Sequence, residues 1–591
     1  MKLNQSATDL VNTLKALAPI VTNALKSGQL FNPRCELTDA DPDILCEYDV
    51  EIPMSEGFSL TANIYRSEQA AEQNAPVPVV MCAHPYDNHI TPALGKTPLG
   101  GAPQQYRLIP QVGTPKFSKL TSWESPDPNF WVPAGYAVVN VNLPGYANSG
   151  GHPSVFSEHQ GKCYYEAIEW VAQQPWCTGK VGLNGVSFLA ITQYHVAACQ
   201  AYGGPPPSLC CISPWEGLTD PYHDTFTRSG LTELGFPAFW WATEVKTAIN
   251  GTLADFVEAE GAIPTNFVDK HPFYDDFWQE KAAKLDEITV PMLVCGSFSD
   301  HGLHTMGSFR AFMKARSPHK WLYTHRTGKW DAFYSPEVQE LTRRFMDCFL
   351  KGETSNGFLD KPPVRLEVRT SRNEIHAVRD ENEWPLARTD YQTLYLTDQS
   401  SLSPNLPAAA SEMTYSATQG QVTFRYMFAE DTELTGYMKL RLWVEARPGR
   451  NPRDSPDDMG IFVAINKRDR QQQSVPFYGS VGNQQDMVTR GWGRAARREL
   501  DSIKSTEWNP VLKAARDEKL KPGEIVPLEI ALYPSSTFFA AGEAIELIVS
   551  AQAIIPSPPY LKDVSFNRGI QVIHLGGDCD SHLLIPQVAV G

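Results

Sequence analysis

Between residues 47 and 362, short apolar runs alternate with segments whose apolar residues recur at helical spacing. Short continuous apolar runs are typical of strands buried on both faces of a parallel sheet, with helices covering those faces. The pattern therefore predicts a doubly wound α/β domain that binds ligands at the carboxyl ends of its strands. The predicted strands are Tyr48–Pro53, Ser59–Tyr65, Val77–Ala83, Tyr136–Asn142, Lys180–Asn184, Leu209–Ser213, Pro291–Gly296 and Lys320–Thr324. The predicted helices are Gly161–Gln174, Phe188–Gln200, Gly302–Ala315 and Ser335–Leu350.

Three other segments have patterns of their own. Residues 1–46 form an N-terminal helical extension, in which an apolar stripe predicts an amphipathic helix docked on the body. Residues 215–288 are rich in aromatic residues and predict a helical cap, which divides the α/β domain into 47–214 and 289–362. Residues 363–591 carry period-two runs between turns and predict an antiparallel jelly-roll sandwich. The stripe comprises Leu10, Val11, Leu14, Leu17, Ala18 and Val21.

Composition narrows the classes of function. At 591 residues the chain is too long for one core. Its net charge of −16 argues against nucleic acid or an anionic membrane as a partner. The eleven cysteines show no Cys-x-x-Cys pair and predict reduced thiols in a cytoplasmic protein. The N-terminus lacks the pattern of a secretory signal, and no metal or organic cofactor is expected.

A candidate nucleophile lies where an apolar strand meets a helix-competent segment, in Gly185-Val186-Ser187. A serine on a sharp strand-to-helix turn projects its hydroxyl above the sheet, as a nucleophile requires. Gly185 lets the backbone pass closely at this turn. The sequence therefore predicts that Ser187 is a catalytic nucleophile.

A serine nucleophile needs a general base, usually a histidine that is oriented by a carboxylate. In this architecture the acid and the base follow the serine along the chain, each after the end of a strand. Asp300 follows one predicted strand and His325 follows the next. We therefore predict Asp300 as the acid and His325 as the base. His301 and His304, beside Asp300, are the alternatives for the base.

The negative oxygen formed during acyl transfer needs two hydrogen-bond donors. One is expected to be the backbone amide of Phe188, the residue after the nucleophile. The other is expected from the loop His84-Pro85-Tyr86, where the phenol of Tyr86 is the better donor and His84 the weaker; packing beside the turn is the alternative role of Tyr86. Aromatic residues near these groups predict a pocket for a bulky apolar or aromatic substrate, although cap packing is the alternative for most of them. The predicted pocket residues are Trp215, Phe236, Phe239, Trp240, Trp241 and Phe298.

Further motifs extend along nearly the whole chain. They include Trp131-Val132-Pro133-Ala134-Gly135-Tyr136, Gln174-Pro175-Trp176, Ser213-Pro214-Trp215-Glu216-Gly217, Ser299-Asp300-His301-Gly302-Leu303-His304, Phe349-Leu350-Lys351-Gly352 and Asn567-Arg568-Gly569. With the turn at Ser187 and His84-Pro85-Tyr86, they resemble the CocE/NonD hydrolases of the X-Pro dipeptidyl-peptidase group, which include bacterial cocaine esterases. The resemblance implies an α/β-hydrolase domain, a helical cap and a jelly roll. It also implies an oxyanion hole made of the Tyr86 hydroxyl and the Phe188 amide.

The chain departs from that family at two points. Many relatives have Asp-x-Arg-Gly where this chain has Asn142-Leu143-Pro144-Gly145. Many also carry the base in a Gly-Pro-Trp-x-His segment, and His325 lies about three residues earlier than that pattern would place it. The second departure bears directly on which histidine is the base.

Several functions are compatible with these residues. Hydrolysis of a carboxylic ester through an acyl-enzyme on Ser187 ranks first. An amidase or X-Pro dipeptidyl-peptidase ranks second, and the peptidase would need an acidic clamp such as Glu216, Asp220 or Asp224. Acyl transfer, lactone chemistry and ligand binding without turnover are the remaining alternatives. The expected partner is a small-molecule ester or amide, with no nucleic acid or membrane partner, and both a monomer and a homodimer are compatible with the sequence.

Overall fold

The computed structural model describes residues 2–95, 101–109, 111–450, 455–480, 483–556 and 559–589. Up to residue 381 the strands are β1 (Glu36–Thr38), β2 (Ile44–Pro53), β3 (Ser59–Ser67), β4 (Val77–His84), β5 (Lys116–Ser118), β6 (Ala137–Asn142), β7 (Cys177–Val186), β8 (Leu209–Trp215), β9 (Thr227–Arg228), β10 (Leu231–Thr232), β11 (Met292–Ser297), β12 (Lys320–His325), β13 (Val364–Arg369) and β14 (Ile375–Glu381). The α-helices are α1 (Lys2–Lys26), α2 (Glu68–Glu72), α3 (Gln105–Leu108), α4 (Pro128–Trp131), α5 (Glu158–Ala172), α6 (Phe188–Ala197), α7 (Phe236–Trp240), α8 (Leu253–Glu260), α9 (Phe267–Lys270), α10 (Asp276–Lys281), α11 (Thr305–Lys314), α12 (Lys329–Phe333) and α13 (Pro336–Met346).

The first sheet has the strand order β2-β3-β6-β4-β7-β8-β11-β12-β13-β14. Pairing is antiparallel at both ends and parallel from β6 to β13. Every residue of β6 and β11 is buried, as expected for strands that are covered on both faces. All eight strands predicted for the α/β domain are present with shifted ends, and the topology is that of an α/β-hydrolase.

Strand β13, which the period-two pattern places in the C-terminal domain, is shared between that domain and the first sheet. It pairs in parallel with β12, where Val364 lies opposite Leu322. Its other end meets the sandwich where Arg369 pairs with Thr537. The neighbouring edge strand β14 alternates between more and less exposed residues. Strands β13 and β14 therefore extend the first sheet, and β13 also links it to the sandwich.

The remaining strands form the predicted C-terminal sandwich. They are β15 (Asp390–Leu396), β16 (Leu402–Ser403), β17 (Ser411–Ser416), β18 (Gln421–Met427), β19 (Thr432–Arg447), β20 (Gly460–Arg468), β21 (Ser474–Val475), β22 (Phe477–Gly479), β23 (Asn483–Asp486), β24 (Thr489–Arg494), β25 (Val526–Phe539), β26 (Ala544–Ser550), β27 (Ile570–Leu575) and β28 (His582–Val588). The long strand β19 pairs with β25 on one side and with β28 and β27 on the other. A second layer has the order β24-β20-β26-β18, and leucine, isoleucine and valine side chains fill the space between the layers. Residues 451–454 of the sequence segment Gly449–Asp458, which its Pro, Asn and Asp content predicts to be a loop, lie outside the described residues.

The cap consists of short helices, with the two-stranded pair β9–β10 as an addition to the prediction. Trp278 is fully buried in the cap and contacts the rings of Phe226 and Phe267. The cap also reaches the sandwich, where the Leu234 amide donates to the Leu561 carbonyl. The cap therefore joins the hydrolase sheet to the C-terminal domain.

Helix α1 docks through a face that matches the predicted stripe only in part: Leu17 of that stripe packs against the core. Ala16, Ile20 and Ala24 recur every four residues and are buried. Leu10 and Leu14 of the predicted stripe are 60% and 55% exposed. Because Ala16 and Ala24 are small, the helix can lie close to the body on this side. The docked face therefore contains small residues as well as large apolar ones. Within the described residues, no helix combines the length and the apolar character needed to cross a bilayer.

Candidate functional site

Ser187 lies on a strained turn between β7 and α6. Its backbone has φ 61° and ψ −116°, a region that L-residues seldom occupy and that costs about 1–3 kcal/mol. The Ser187 amide donates to the Trp215 carbonyl at 3.0 Å, and the Val186 amide donates to the Glu124 carbonyl at 3.2 Å. A Cβ at Gly185 would lie 2.6 Å from the Leu189 Cβ, so this position requires glycine. These contacts hold the Ser187 hydroxyl at the carboxyl end of the sheet.

A hydrogen-bond chain connects Ser187 with His304 and Asp300. Ser187 Oγ lies 3.2 Å from His304 Nε2, and His304 Nδ1 lies 2.6 Å from Asp300 Oδ2. His304 and Asp300 are buried, at 1% and 3% exposure, whereas Ser187 is half-buried at the cavity. Asp300 follows the end of β11, and a turn of chain leads back so that His304, four residues on, lies against it. A proton on Nδ1 that is donated to Asp300 leaves Nε2 free to accept the Ser187 proton.

The structure corrects the predicted base, because His325 does not reach Ser187. His325 is the last residue of β12 and still pairs with Ser297 of β11. Its Nε2 lies 2.8 Å from Glu216 Oε1, and its ring stacks on Trp215 with the centroids 5.6 Å apart. The hydrogen bond to Glu216 and the stacking on Trp215 hold the His325 ring, which does not line the cavity at Ser187.

Of the two alternatives for the base, only His304 contacts Ser187. The His301 ring lies edge-on to Tyr533 of the sandwich, with the centroids 5.7 Å apart. The sequence signal that favours His304 is its spacing of four residues from Asp300, which returns a side chain to the same face of a helical turn. The expectation that acid and base follow separate strands favours His325 over His304, because Asp300 and His304 follow the same strand.

Lys329, at the start of α12, adds a positive charge to this group. Its Nζ lies 2.8 Å from Asp300 Oδ2 and 3.0 Å from His304 Nδ1. Burial opposes ionisation of Asp300, but Lys329 and His304 hold the pKa of the Asp300 carboxyl well below its usual range. Burial, followed by the charge of Lys329, lowers the pKa of His304, so its imidazole is neutral at pH 7. No motif in the sequence predicts a role for Lys329, although it lies close to where the family pattern expects the base.

The two residues predicted to supply the oxyanion donors both line the cavity at Ser187. Tyr86 and Phe188 line the cavity that Ser187 faces, and their rings meet edge-on with the centroids 6.0 Å apart. Trp240 Nε1 donates to the Tyr86 hydroxyl at 3.1 Å, which leaves the phenolic proton free to be donated. Burial raises the pKa of Tyr86 well above its usual value, so the phenol stays protonated. His84 accepts from the Tyr86 amide at 3.2 Å and fixes the loop rather than facing the cavity.

Aromatic side chains are the largest group in the wall of the cavity above Ser187, and Tyr86 and Phe188 are two of them. Phe236, Phe239 and Trp240 of the predicted set line it. Its other aromatic residues are Trp123, Phe156, Phe226, Trp330 and Tyr560.

The three other predicted pocket residues lie elsewhere, which corrects those assignments. Trp215 stacks on His325, Trp241 packs on Phe256 inside the cap, and Phe298 packs on Phe309. Aromatic content alone does not reveal which side of a helix or strand faces the cavity.

Polar groups and distant chain segments complete the cavity wall. Glu124, Glu244 and Lys329 line it, as do Ile20 of α1 and Tyr560 of the C-terminal domain. Burial raises the pKa of Glu124 to about 8 and that of Glu244 well above its usual value. Both carboxyl groups are therefore largely uncharged at pH 7. The sequence offers no signal for either of them.

Glu216, Cys295 and His325 are the described residues that could hold a metal ion, since their ligand atoms lie within 4.8 Å of one another. Burial raises the pKa of Cys295 well above its usual value, whereas zinc prefers a thiolate. The Glu216–His325 hydrogen bond already pairs the other two groups. This cluster fits a buried structural contact better than a metal centre.

Comparisons with known proteins cover most of the chain. A model for X-Pro dipeptidyl-peptidase (S15 family) matches residues 56–331. A model for the X-Pro dipeptidyl-peptidase C-terminal non-catalytic domain matches residues 356–584. Among curated proteins, the chain is 25% identical to the cocaine esterase of Rhodococcus sp. (strain MB1 Bresler) over 431 residues, which are 64% of this chain and 67% of that protein. It is 23% identical to a putative Xaa-Pro dipeptidyl-peptidase of Bacillus cereus, over 72% of each chain.

A solved structure gives a fuller match. The crystal structure of a CocE/NonD family hydrolase from Staphylococcus aureus is 35% identical and superposes with a TM-score of 0.82. The match covers 92% of this chain and 94% of that one. The chain therefore belongs to the CocE/NonD family of hydrolases, a family of the serine-hydrolase type.

Proposed function

We propose that this protein is a serine esterase that hydrolyses carboxylic esters with bulky apolar acyl groups. The observation that carries the proposal is the chain of contacts from Ser187 Oγ through His304 to Asp300, at 3.2 and 2.6 Å. Ser187 faces a cavity whose wall is built largely from apolar side chains, most of them aromatic. Apolar walls of this kind favour an apolar acyl group over acetate.

The reaction follows from the roles of these side chains. As Ser187 Oγ attacks the ester carbonyl carbon, its proton passes to His304 Nε2, and the carbonyl oxygen becomes an oxyanion. The Tyr86 hydroxyl and the Phe188 amide donate to that oxyanion. The C–O bond to the alcohol then breaks, and the departing oxygen takes the proton from His304. His304 then takes a proton from water, whose oxygen attacks the acyl carbon. The bond between that carbon and Ser187 Oγ breaks, Oγ takes the proton back from His304, and the carboxylic acid is released.

Ester hydrolysis is favoured over the peptidase alternative by the charges near Ser187. The acidic residues suggested as an amine clamp are all engaged: Glu216 with His325, Asp220 with His223, and Asp224 with Arg310. The carboxyl groups that do line the cavity, Glu124 and Glu244, are largely uncharged at pH 7. An uncharged carboxyl group offers little attraction for the free ammonium group of a peptide.

Labelling with a fluorophosphonate tests the proposal. We expect one adduct per chain, located on Ser187 by peptide mass mapping, and none on Ser187→Ala. A panel of p-nitrophenyl esters should then show faster turnover of aromatic and branched acyl groups than of acetate, and little release from Ala-Pro-p-nitroanilide. A folded protein without an adduct would favour ligand binding without turnover, and faster cleavage of the anilide would favour the peptidase.

The role of Tyr86 gives a separate prediction. Tyr86→Phe removes one oxyanion donor, and we expect kcat to fall by about 10²- to 10³-fold with little change in KM. Steady-state kinetics on the best ester measures both constants. Tyr146→Phe is the matched control, because Tyr146 is equally buried and its hydroxyl donates to the Ser154 carbonyl rather than facing the cavity. Equal losses in the two variants would mean that Tyr86 only packs beside the turn.

A further inference from the structure

The side chain of Lys329 contacts both members of the Asp300–His304 pair. One oxygen, Asp300 Oδ2, lies 2.6 Å from His304 Nδ1 and 2.8 Å from Lys329 Nζ. The ammonium nitrogen is also only 3.0 Å from Nδ1 itself. Lys329 therefore does not extend into solvent but forms a triangle with the two groups that activate Ser187.

The donor and acceptor roles of Lys329, His304 and Asp300 determine which hydrogen bonds this triangle contains. An ammonium group has donors only, and imidazole Nδ1 either donates or accepts. If Nδ1 accepted from Lys329, Nε2 would carry the proton and could not receive one from Ser187. Asp300 Oδ2 is charged and nearer to both groups, so both donate to it, and Nε2 keeps its free lone pair. This arrangement leaves the Lys329 charge beside Nδ1 without a hydrogen bond to it.

The charge of Lys329 acts on the protonated form of His304. Besides Asp300, the ionisable groups facing this region are Glu216, which acts on both His304 and Lys329, Glu124 and Glu244, which lie near Lys329, and Tyr560, which lies near Asp300. Burial raises the pKa of Glu124, Glu244 and Tyr560, so Glu216 and Asp300 carry the negative charge at pH 7. Despite burial, Asp300, followed by Glu216, raises the pKa of Lys329, so Lys329 stays an ammonium. An imidazolium at His304 would then lie 3.0 Å from a second positive charge. Protonation of His304 from solvent is disfavoured for that reason.

We propose that Lys329 is a positioning residue of the Ser187–His304–Asp300 group, holding Asp300 against His304 and keeping His304 in the neutral form that can accept a proton. Activity consequently persists at a pH where an ordinary histidine would be protonated. The inference rests on the proposed function, because a proton acceptor matters only if Ser187 is a nucleophile.

The pH dependence of kcat/KM tests this inference. The acid limb of that profile reports protonation of the base in the free enzyme. Removing the positive charge makes His304 easier to protonate, so the acid limb of Lys329→Met should move to higher pH by about one to three pH units. Lys329→Gln, which keeps a hydrogen bond to Asp300 without the charge, should show the same displacement. Lys329→Arg should keep the wild-type limb, since it keeps the charge.

Two controls make the outcome specific. Lys351→Met removes another half-buried lysine that is paired with an aspartate, Asp347 at 2.8 Å, and should leave the limb unchanged. Fluorophosphonate labelling of the wild type and of each variant at pH 8 separates this inference from the proposed function. An unlabelled wild type would overturn the function itself. Labelled variants whose acid limbs coincide with the wild-type limb would overturn only the role of Lys329, even if their kcat were lower.

Discussion

Replacing His304 by glutamine is expected to lower kcat/KM for ester hydrolysis by about 10⁴- to 10⁶-fold. Glutamine has a similar reach but cannot accept the proton of Ser187 Oγ, which lies 3.2 Å from His304 Nε2. The loss should appear in kcat, because no part of the apolar cavity wall is removed. Steady-state kinetics at pH 8 and the rate of fluorophosphonate labelling both measure it.

His325→Gln is the matched control for that experiment. His325 is buried like His304, and glutamine can still donate to Glu216 as the His325 ring does over 2.8 Å. We expect kcat within about tenfold of wild type, because no reacting group is lost. A large loss in His325→Gln together with an active His304→Gln would return the base to the position predicted from sequence.

Asp300→Asn is expected to lower kcat by about 10⁴-fold with a smaller change in KM. The asparagine amide can donate to His304 Nδ1, which favours the tautomer whose proton lies on Nε2 and blocks transfer from Ser187. It also removes the charge that Lys329 pairs with at 2.8 Å. Steady-state kinetics of the folded variant measures the loss.

Asp224→Asn separates this effect from the general cost of losing a buried carboxylate. Asp224 is buried and accepts from both terminal nitrogens of Arg310, at 2.9 and 3.0 Å. Breaking that pair should lower the melting temperature, because the half-buried Arg310 loses its charged partner. Its kcat should stay near the wild-type value. Asp300→Asn with a normal kcat would contradict the assignment of Asp300.

The order of strands and helices and the position of Ser187 could be predicted because both depend on local sequence. Buried parallel strands require continuous apolar runs, and the turn at Ser187 requires a glycine at 185, where a Cβ would collide with Leu189. The contact of the base with Ser187 could not be predicted in the same way. His325 stands at a strand end as expected, but its ring turns toward Glu216, and the direction of a side chain at a strand end depends on neighbours that are distant in sequence.

The cavity wall was predictable only in part for the same reason. Phe236, Phe239 and Trp240 face the cavity, whereas Trp241, the next residue, faces the interior of the cap. Ile20 and Tyr560 reach the cavity from the two ends of the chain. Contacts between segments so far apart follow from the packing of whole domains, and no pattern within either segment encodes them.

The cavity wall and the reacting groups come from different parts of the chain, so the range of substrates and the reaction itself can evolve separately. The groups proposed to react with an ester all come from the hydrolase domain, while Ile20 belongs to the N-terminal helix and Tyr560 to the C-terminal domain. Substitutions in those outer segments can reshape the space for a substrate without disturbing the strained turn or the buried charges. The range of substrates that fit this cavity can thus change while the proposed reaction stays the same.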